Sequence, residues 1–277
     1  MTPLIGWAIL SVVFALLWLR QVRTRNATSV DAAWSTSIAV LVAAYAITAT
    51  DVDLATRVLV GVMAAVWGLR LAYHLWAHRV RREETEDGRY AAMRETWGDK
   101  QQIGFFVTYQ VQAGLAVLFS LPAWGALHLA PSPGPLHIVA ALVWLISISG
   151  ESIADNQLSR WRANPDNRGK TCRMGLWRFS RHPNYFFEWL IWWSFALLAL
   201  PAPGGAWALV APFVMYLMIT RVSGIPYTEA QSLRSRGEDY RDYQRSTSAF
   251  FPLPPRPNSQ SVRRPAADPP TVSEAPA

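Results

Sequence analysis

Seven apolar stretches separated by polar loops govern what this chain can fold into. They run over residues 3–19, 30–50, 58–77, 103–121, 136–155, 184–200 and 206–220. Each approaches the ~20 residues an α-helix needs to cross a ~30 Å hydrocarbon layer. Inside that layer an open sheet edge or a loop leaves backbone groups unsatisfied, so helices are the economical solution. The sequence therefore predicts an all-α, polytopic membrane protein with seven transmembrane helices. Composition agrees, with 51% hydrophobic and 16% charged residues among 277. The second stretch is the least uniform, because Asp31, Ser35, Thr36 and Ser37 stand at its start.

The loops alternate in charge. Lys and Arg follow the first, third, fifth and seventh stretches and are nearly missing after the second, fourth and sixth. Cytoplasmic loops collect Lys and Arg, which predicts an external N-terminus and a cytoplasmic C-terminus. The net charge of +7 then reflects loop asymmetry and not a nucleic-acid footprint. A single cysteine, Cys172, excludes an internal disulfide framework and a Cys-based zinc site. The N-terminal stretch has no charged n-region and no small-residue cleavage site, so it reads as a retained span. After Pro252 the chain is rich in Pro, Ser and Ala without apolar periodicity. The expected division is a transmembrane domain over 1–252 and a disordered, Pro-rich tail over 253–277.

The chemistry concentrates around GLWRFSRHPNYFFE, residues 175–188. Pro183 suits the first turn of a helix and His182 its cap. A helix N-terminus attracts anions, and Arg178 and Arg181 stand beside it. The preceding loop carries Arg160, Arg162, Arg168, Lys170, Arg173, Arg178 and Arg181 against Asp166 alone. Asn184 and Glu188, four apart, share a helix face. Asp31, Arg70, His74, Gln110, Gln112, Glu151 and Asp155 also fall inside apolar stretches. Ionisable residues there are costly and point to a site. Arg70 and His74 share a face with Trp67, and Glu151, Asp155 and Arg162 share another if the fifth helix runs on. Mutual satisfaction among these groups is the competing explanation, with Arg70 pairing a carboxylate and glutamines bonding across helices. Arginine forks suit phosphates, so the pattern predicts a phosphate-bearing cofactor at the cytoplasmic face and an apolar substrate entering from lipid.

Several segments together resemble an uncharacterised family of bacterial membrane proteins that is similar to the C-terminal domain of steroid 5-alpha-reductases. They are VDAAWS (30–35), WGLRLAYHLWAHR (67–79), ED-RY (86–90), AD-QL (154–158), the 175–188 stretch, SGIPYTEA (223–230) and EDYRDYQRSTSAFFP (238–252). The resemblance implies seven spans in the bacterial inner membrane, NADPH bound from the cytoplasm, and hydride transfer to a double bond conjugated with a ketone. Residue by residue, it implies cofactor contacts at Asp155, Arg162 and Arg173. It adds Asn184 and Glu188 at the nicotinamide, Tyr227 near the tail, and Arg79 and Arg81 after the third span. Glu151, Arg178, Arg181, His182 and Tyr185 complete the candidate cofactor set. Animal members use a Gln-Glu pair and a Tyr to activate the ketone. Here Asp31 and Trp34 stand on the second span, and Trp67 with Tyr73 on the third. Asp31, protonated in an apolar site, is the expected carbonyl donor, with Arg70 as the cation that competes for it. Tyr73 is the alternative donor. RHPNY is also similar to a motif of membrane methyltransferases that use S-adenosylmethionine, which is the rival enzyme class. A lipid-binding or scaffold protein is the non-enzymatic rival.

Overall fold

The structure is a computed structural model that describes residues 1–81, 86–129 and 134–256. Its helices are α1 (Pro3–Thr24), α2 (Val30–Thr48), α3 (Leu54–Leu75), α4 (Gly88–Trp97), α5 (Gln101–His128), α6 (Pro135–Ala163), α7 (Pro183–Ala199), α8 (Val210–Leu217) and α9 (Ile225–Ser246). No strand occurs among the described residues. Local chemistry marks the helix starts. Thr2 caps α1 by accepting from the Ile5 N–H. Asp53 caps α3 by accepting from the Thr56 N–H at 2.8 Å and its hydroxyl at 2.7 Å. Proline occupies the first turn of α1, α6, α7 and α9.

Six helical stretches are long and apolar enough to cross a membrane: Pro3–Thr24, Val30–Thr48, Leu54–Leu75, Gly88–His128, Pro135–Ala163 and Gly205–Ser246. Their outer faces carry Leu4, Ile47, Leu54, Ile103 and Ile138, all largely exposed. Such an apolar exterior suits lipid contact. The sixth expected stretch becomes α7, which is 17 residues long. The seventh is interrupted. A 3₁₀ turn (Gly205–Leu209) leads into α8, and a π turn (Met218–Val222) follows it. Polar α9 comes next, kinked at Gly237, whose φ is 53°. In the expected loop after the third stretch, residues 88–97 form α4 instead. Helix α5 runs through Pro122, past the expected end at 121.

Two long pairs, α2 with α3 and α6 with α7, pack around α5, which also touches α1. Gly68 permits the first pairing. A Cβ there would lie 2.7 Å from the Ala39 Cβ and 2.8 Å from the Ser35 carbonyl oxygen. Where the pairs meet, aromatic rings fill the core. Trp192 stands 4.9 Å from Trp67 and 4.4 Å from Phe119, centre to centre.

After α9 the chain doubles back as a strap. Arg181 N–H donates to the Ser248 carbonyl at 2.8 Å, and Leu253 N–H donates to that of Phe179 at 3.0 Å. Phe250 and Phe251 pack on Phe186, Trp189 and Tyr216. Residues 253–256, expected to begin the disordered tail, are thus tied to the body. The rest of that tail, 257–277, lies outside the described residues.

Candidate functional site

Helical spacing assembles a polar centre from three elements. Helix α3 supplies Trp67, Arg70 and His74, at i, i+3 and i+7. Helix α6 supplies Glu151 and Asp155, one turn apart, and α7 supplies Asn184, Glu188 and Trp192. The Arg70 guanidinium pairs with Glu151 and, at 3.3 Å, with Asp155. His74 Nδ1 stands 3.8 Å from the same Asp155 oxygen. The Asn184 amide donates to the other at 3.1 Å. Two indole N–H groups donate to Glu188: Trp67 at 2.9 Å and Trp192 at 3.1 Å. Glu151 is 4% exposed.

The centre is not self-contained. Among the described residues, Glu151 Oε2 and both Arg70 Nε and Nη2 are buried without a hydrogen-bond partner, although Nη2 is ion-paired with Glu151. An unmet buried acceptor beside an unmet buried donor costs stability, and a ligand offering the complementary pair removes that cost. Among the described residues, three carboxylates also face one guanidinium and one imidazole, so the centre favours a cationic or hydrogen-bond-donating guest. Nearby, Trp34 lies edge-on to Trp67 at 6.3 Å, and its Nε1 is likewise buried without a partner.

Asp31 lies elsewhere. Its carboxylate accepts from the Arg89 guanidinium and from the Tyr90 hydroxyl, both at 2.5 Å. The expected competitor was Arg70, and the partner is Arg89, which also pairs with Asp87. Both carboxylate oxygens are thus engaged within the protein, by Arg89 and Tyr90. Beside it, Arg94 grips Glu86 at 2.8 Å and reaches Gln21 and Gln101. Together these contacts fold α4 back onto the ends of α1, α2 and α5. Tyr73 is 68% exposed on the outer face of α3 and does not join the centre.

The loop arginines divide by role. Arg181 pairs with Glu229 at 2.6 Å and donates to the carbonyls of Gln244 and Thr247. Arg173 pairs with Asp239 and Asp242 on α9. Both fasten α9 and the strap to the loop, a structural duty that their expected phosphate contacts did not include. His182 Nε2 lies 3.4 Å from Glu229, and its ring stacks on Tyr185. Burial pushes the His182 imidazole below its ordinary value, outweighing the pull of Glu229. Burial would raise the Glu229 carboxyl, but hydrogen bonds from His182 and Arg181 and the Arg181 charge bring it down to about 2. The Tyr185 hydroxyl lies 3.2 Å from that of Thr228. Tyr227 meets the start of α4, where a Cβ on Gly88 would come within 2.6 Å of its hydroxyl. Arg81, Arg162 and Arg178 are exposed, with Arg81 over the Trp76 ring. The Arg79 side chain lies outside the described residues.

Of the expected cofactor residues, Glu151, Asp155, Asn184 and Glu188 come together. Sequence reasoning did not single out Trp192 as a Glu188 partner, although it stands four residues further along the same helix. Nor did it single out Arg89 and Tyr90 as partners of Asp31, because no spacing rule links residues 58 and 59 positions apart.

A family model described as protein of unknown function (DUF1295) matches residues 17–247. No curated protein and no solved structure matches the chain.

Proposed function

We propose, for this chain, which belongs to the DUF1295 family, that it is an integral membrane reductase. In this reading it uses NADPH to reduce a lipid-soluble enone, such as a 3-oxo-Δ4 steroid, in the inner membrane of a bacterium. The observation that carries the reading is the unmatched pair at the polar centre, Glu151 Oε2 and Arg70 Nε, buried inside an apolar bundle. A nicotinamide carboxamide carries an NH₂ group that can donate to Glu151 Oε2 and a carbonyl that can accept from Arg70 Nε. The residues present therefore fit the group. When bound, NADPH would supply a hydride.

In this reading Arg70 and Glu151 hold the carboxamide, and Asp155 and Asn184 fix their orientation. Glu188, steadied by two indoles, adds negative charge beside the ring. Trp34 presents an unengaged N–H where the substrate oxygen would lie, and it replaces Tyr73 and Asp31 as the carbonyl donor. The aromatic core around Phe119 keeps water out. Arg162 sits at the cytoplasmic end of α6, on the face of Asp155, and with Arg81 it suits the phosphates.

The same reading takes α7 as a seventh crossing. Its 17 residues meet the lower bound of ~17 for a spanning helix, and its flanking loops differ sharply in charge. With seven crossings the basic loops all fall on one side, which puts the N-terminus outside and the C-terminus in the cytoplasm.

One observation favours a second reading. Carboxylates outnumber cations at the centre, and the Trp67 and Trp192 rings adjoin them, a setting that also suits the sulfonium of S-adenosylmethionine. A titration of NADPH, NADH and S-adenosylmethionine against detergent-purified protein separates the two. NADPH binding that weakens roughly tenfold to a hundredfold in Arg162→Ala supports the reductase. Binding of S-adenosylmethionine without NADPH overturns it and leaves the methyltransferase.

A further inference from the structure

We propose that the face of α6 turned away from the polar centre binds one anionic phospholipid, drawn from the leaflet on the basic side. The site is independent of the cofactor reading. A groove of about 470 Å³ runs between α6, the 3₁₀ turn Gly175–Arg178 and α7. Its walls are almost wholly carbon, from Ile146, Gly150, Ile153, Leu176, Phe179 and Phe187. Gly150 lets the Phe187 ring close one wall against α6, because a Cβ there would lie 2.4 Å from that ring.

Helix geometry separates this groove from the site above. Ile146, Gly150, Ile153 and Gln157 form a stripe at intervals of three and four residues. At 100° per residue, Glu151 and Asp155 fall on roughly the opposite side of the helix. The groove is therefore a second feature of the surface, not an extension of the reaction centre. Ile146 and Ile153 are 61% and 49% exposed. An exterior apolar slot in a membrane protein meets hydrocarbon chains first.

Length and charge identify the occupant. The stripe from Ile146 to Gln157 covers roughly 16 Å at 1.5 Å per residue, close to the ~15 Å depth of one leaflet. Arg160 continues the stripe by three residues, which places it at headgroup level. Arg178 stands at the same end, between Leu176 and Phe179 in the chain. Both arginines are exposed, and among the described residues neither has a hydrogen bond or ion pair. Arg173 and Arg181, by contrast, are engaged with α9. Two unengaged guanidinium groups at the mouth of a hydrocarbon slot match a phosphodiester headgroup on an acyl chain. A zwitterionic lipid offers the same chain but no net negative charge.

The full chain in mild detergent would be titrated with phosphatidylglycerol and with phosphatidylcholine, and bound lipid counted by native mass spectrometry. One phosphatidylglycerol should bind at least tenfold more tightly than phosphatidylcholine. Arg160→Gln with Arg178→Gln should reduce that preference below threefold. Arg23→Gln with Arg221→Gln, which lowers the net charge equally at other exposed sites, should leave it intact. Ile153→Trp, which fills the slot from its exposed side, should weaken phosphatidylglycerol binding. Equal binding of both lipids by the wild type overturns the proposal, as does equal loss in the control pair. Displacement of phosphatidylglycerol by excess NADPH also overturns it, giving the arginines to the cofactor. A dimer that Ile153→Trp dissociates overturns it as well, with a second copy covering the slot.

Discussion

Removing Arg70 tests whether the polar centre is organised as described. The side chain is 20% exposed and stands between Glu151 and Asp155, whose side chains are 5% and 11% exposed. Arg70→Met keeps the length and apolar stem but leaves two buried carboxylates beside Glu188 without a guanidinium. Breaking a buried pair in this way costs about 3–5 kcal/mol, mostly the penalty of the stranded charge. For a chain of this size each kcal/mol moves the midpoint by about 2–4 °C, so the melting temperature should fall by roughly 6–20 °C. Thermal unfolding in a fixed detergent, followed by tryptophan fluorescence, provides the readout. The double variant Arg70→Met/Glu151→Gln removes both charges and should recover part of the loss, because a neutral amide is far cheaper to bury. If Arg70→Met melts within 2 °C of wild type, or if the double variant is no better than the sum of its parts, the coupling is absent. The description of the centre would then be wrong.

Three further outcomes follow from the contacts of α9 and from the core. Acidification from pH 7 to pH 5 should lower the melting temperature. His182 is depressed in the folded state, so its contribution is complete above the unfolded value of ~6.5 and declines as pH falls below it. Glu229, brought down to about 2, adds a second loss from ~4.5 downward. A flat or rising profile between pH 7 and 5 contradicts the assignment, and His182→Gln should flatten the upper part. Arg181→Ala removes the Glu229 pair and two carbonyl contacts, about 1.5–3 kcal/mol for each charged bond before relaxation. It should expose residues 247–256 to limited proteolysis, and unchanged cleavage would show that the strap is held by its aromatic residues alone. Gly68→Leu should cost about 1–3 kcal/mol by forcing α2 from α3, and a melting temperature equal to wild type would show that the helices part freely.

The membrane-spanning pattern was legible because hydropathy acts over whole helices. The grouping of Glu151 with Asp155, and of Asn184 with Glu188, was legible for a similar reason, since each pair lies one turn apart. What joins the pairs is tertiary. Arg70 was identified as a partner for a carboxylate, yet nothing local says that it bridges two. Asp31 was assigned the wrong cation, because Arg89 lies in a charged segment that reads as loop. That segment forms α4 only where Asp87 caps it and Glu86, Arg94 and Gln21 interlock. The arginine-rich loop was read as one phosphate-binding surface. Its composition could not separate Arg173 and Arg181, which face acids on α9, from Arg162 and Arg178, which are exposed. The break between α8 and α9 is signalled by Gly224 and by Pro226 in the first turn of α9, whereas the π turn before it carries neither residue.

The strap also bears on how the molecule is made. Residues 247–256 leave the ribosome after helices α1 to α9. They then close the stretch that opens α7, through backbone bonds to Phe179 and Arg181 and the packing of Phe250 on Trp189. A chain interrupted anywhere upstream of this segment would insert but remain unlatched, with the Phe186–Trp189 surface uncovered. The strap is thereby a late latch, and a protease that recognises exposed aromatic residues would cut copies in which it has not closed.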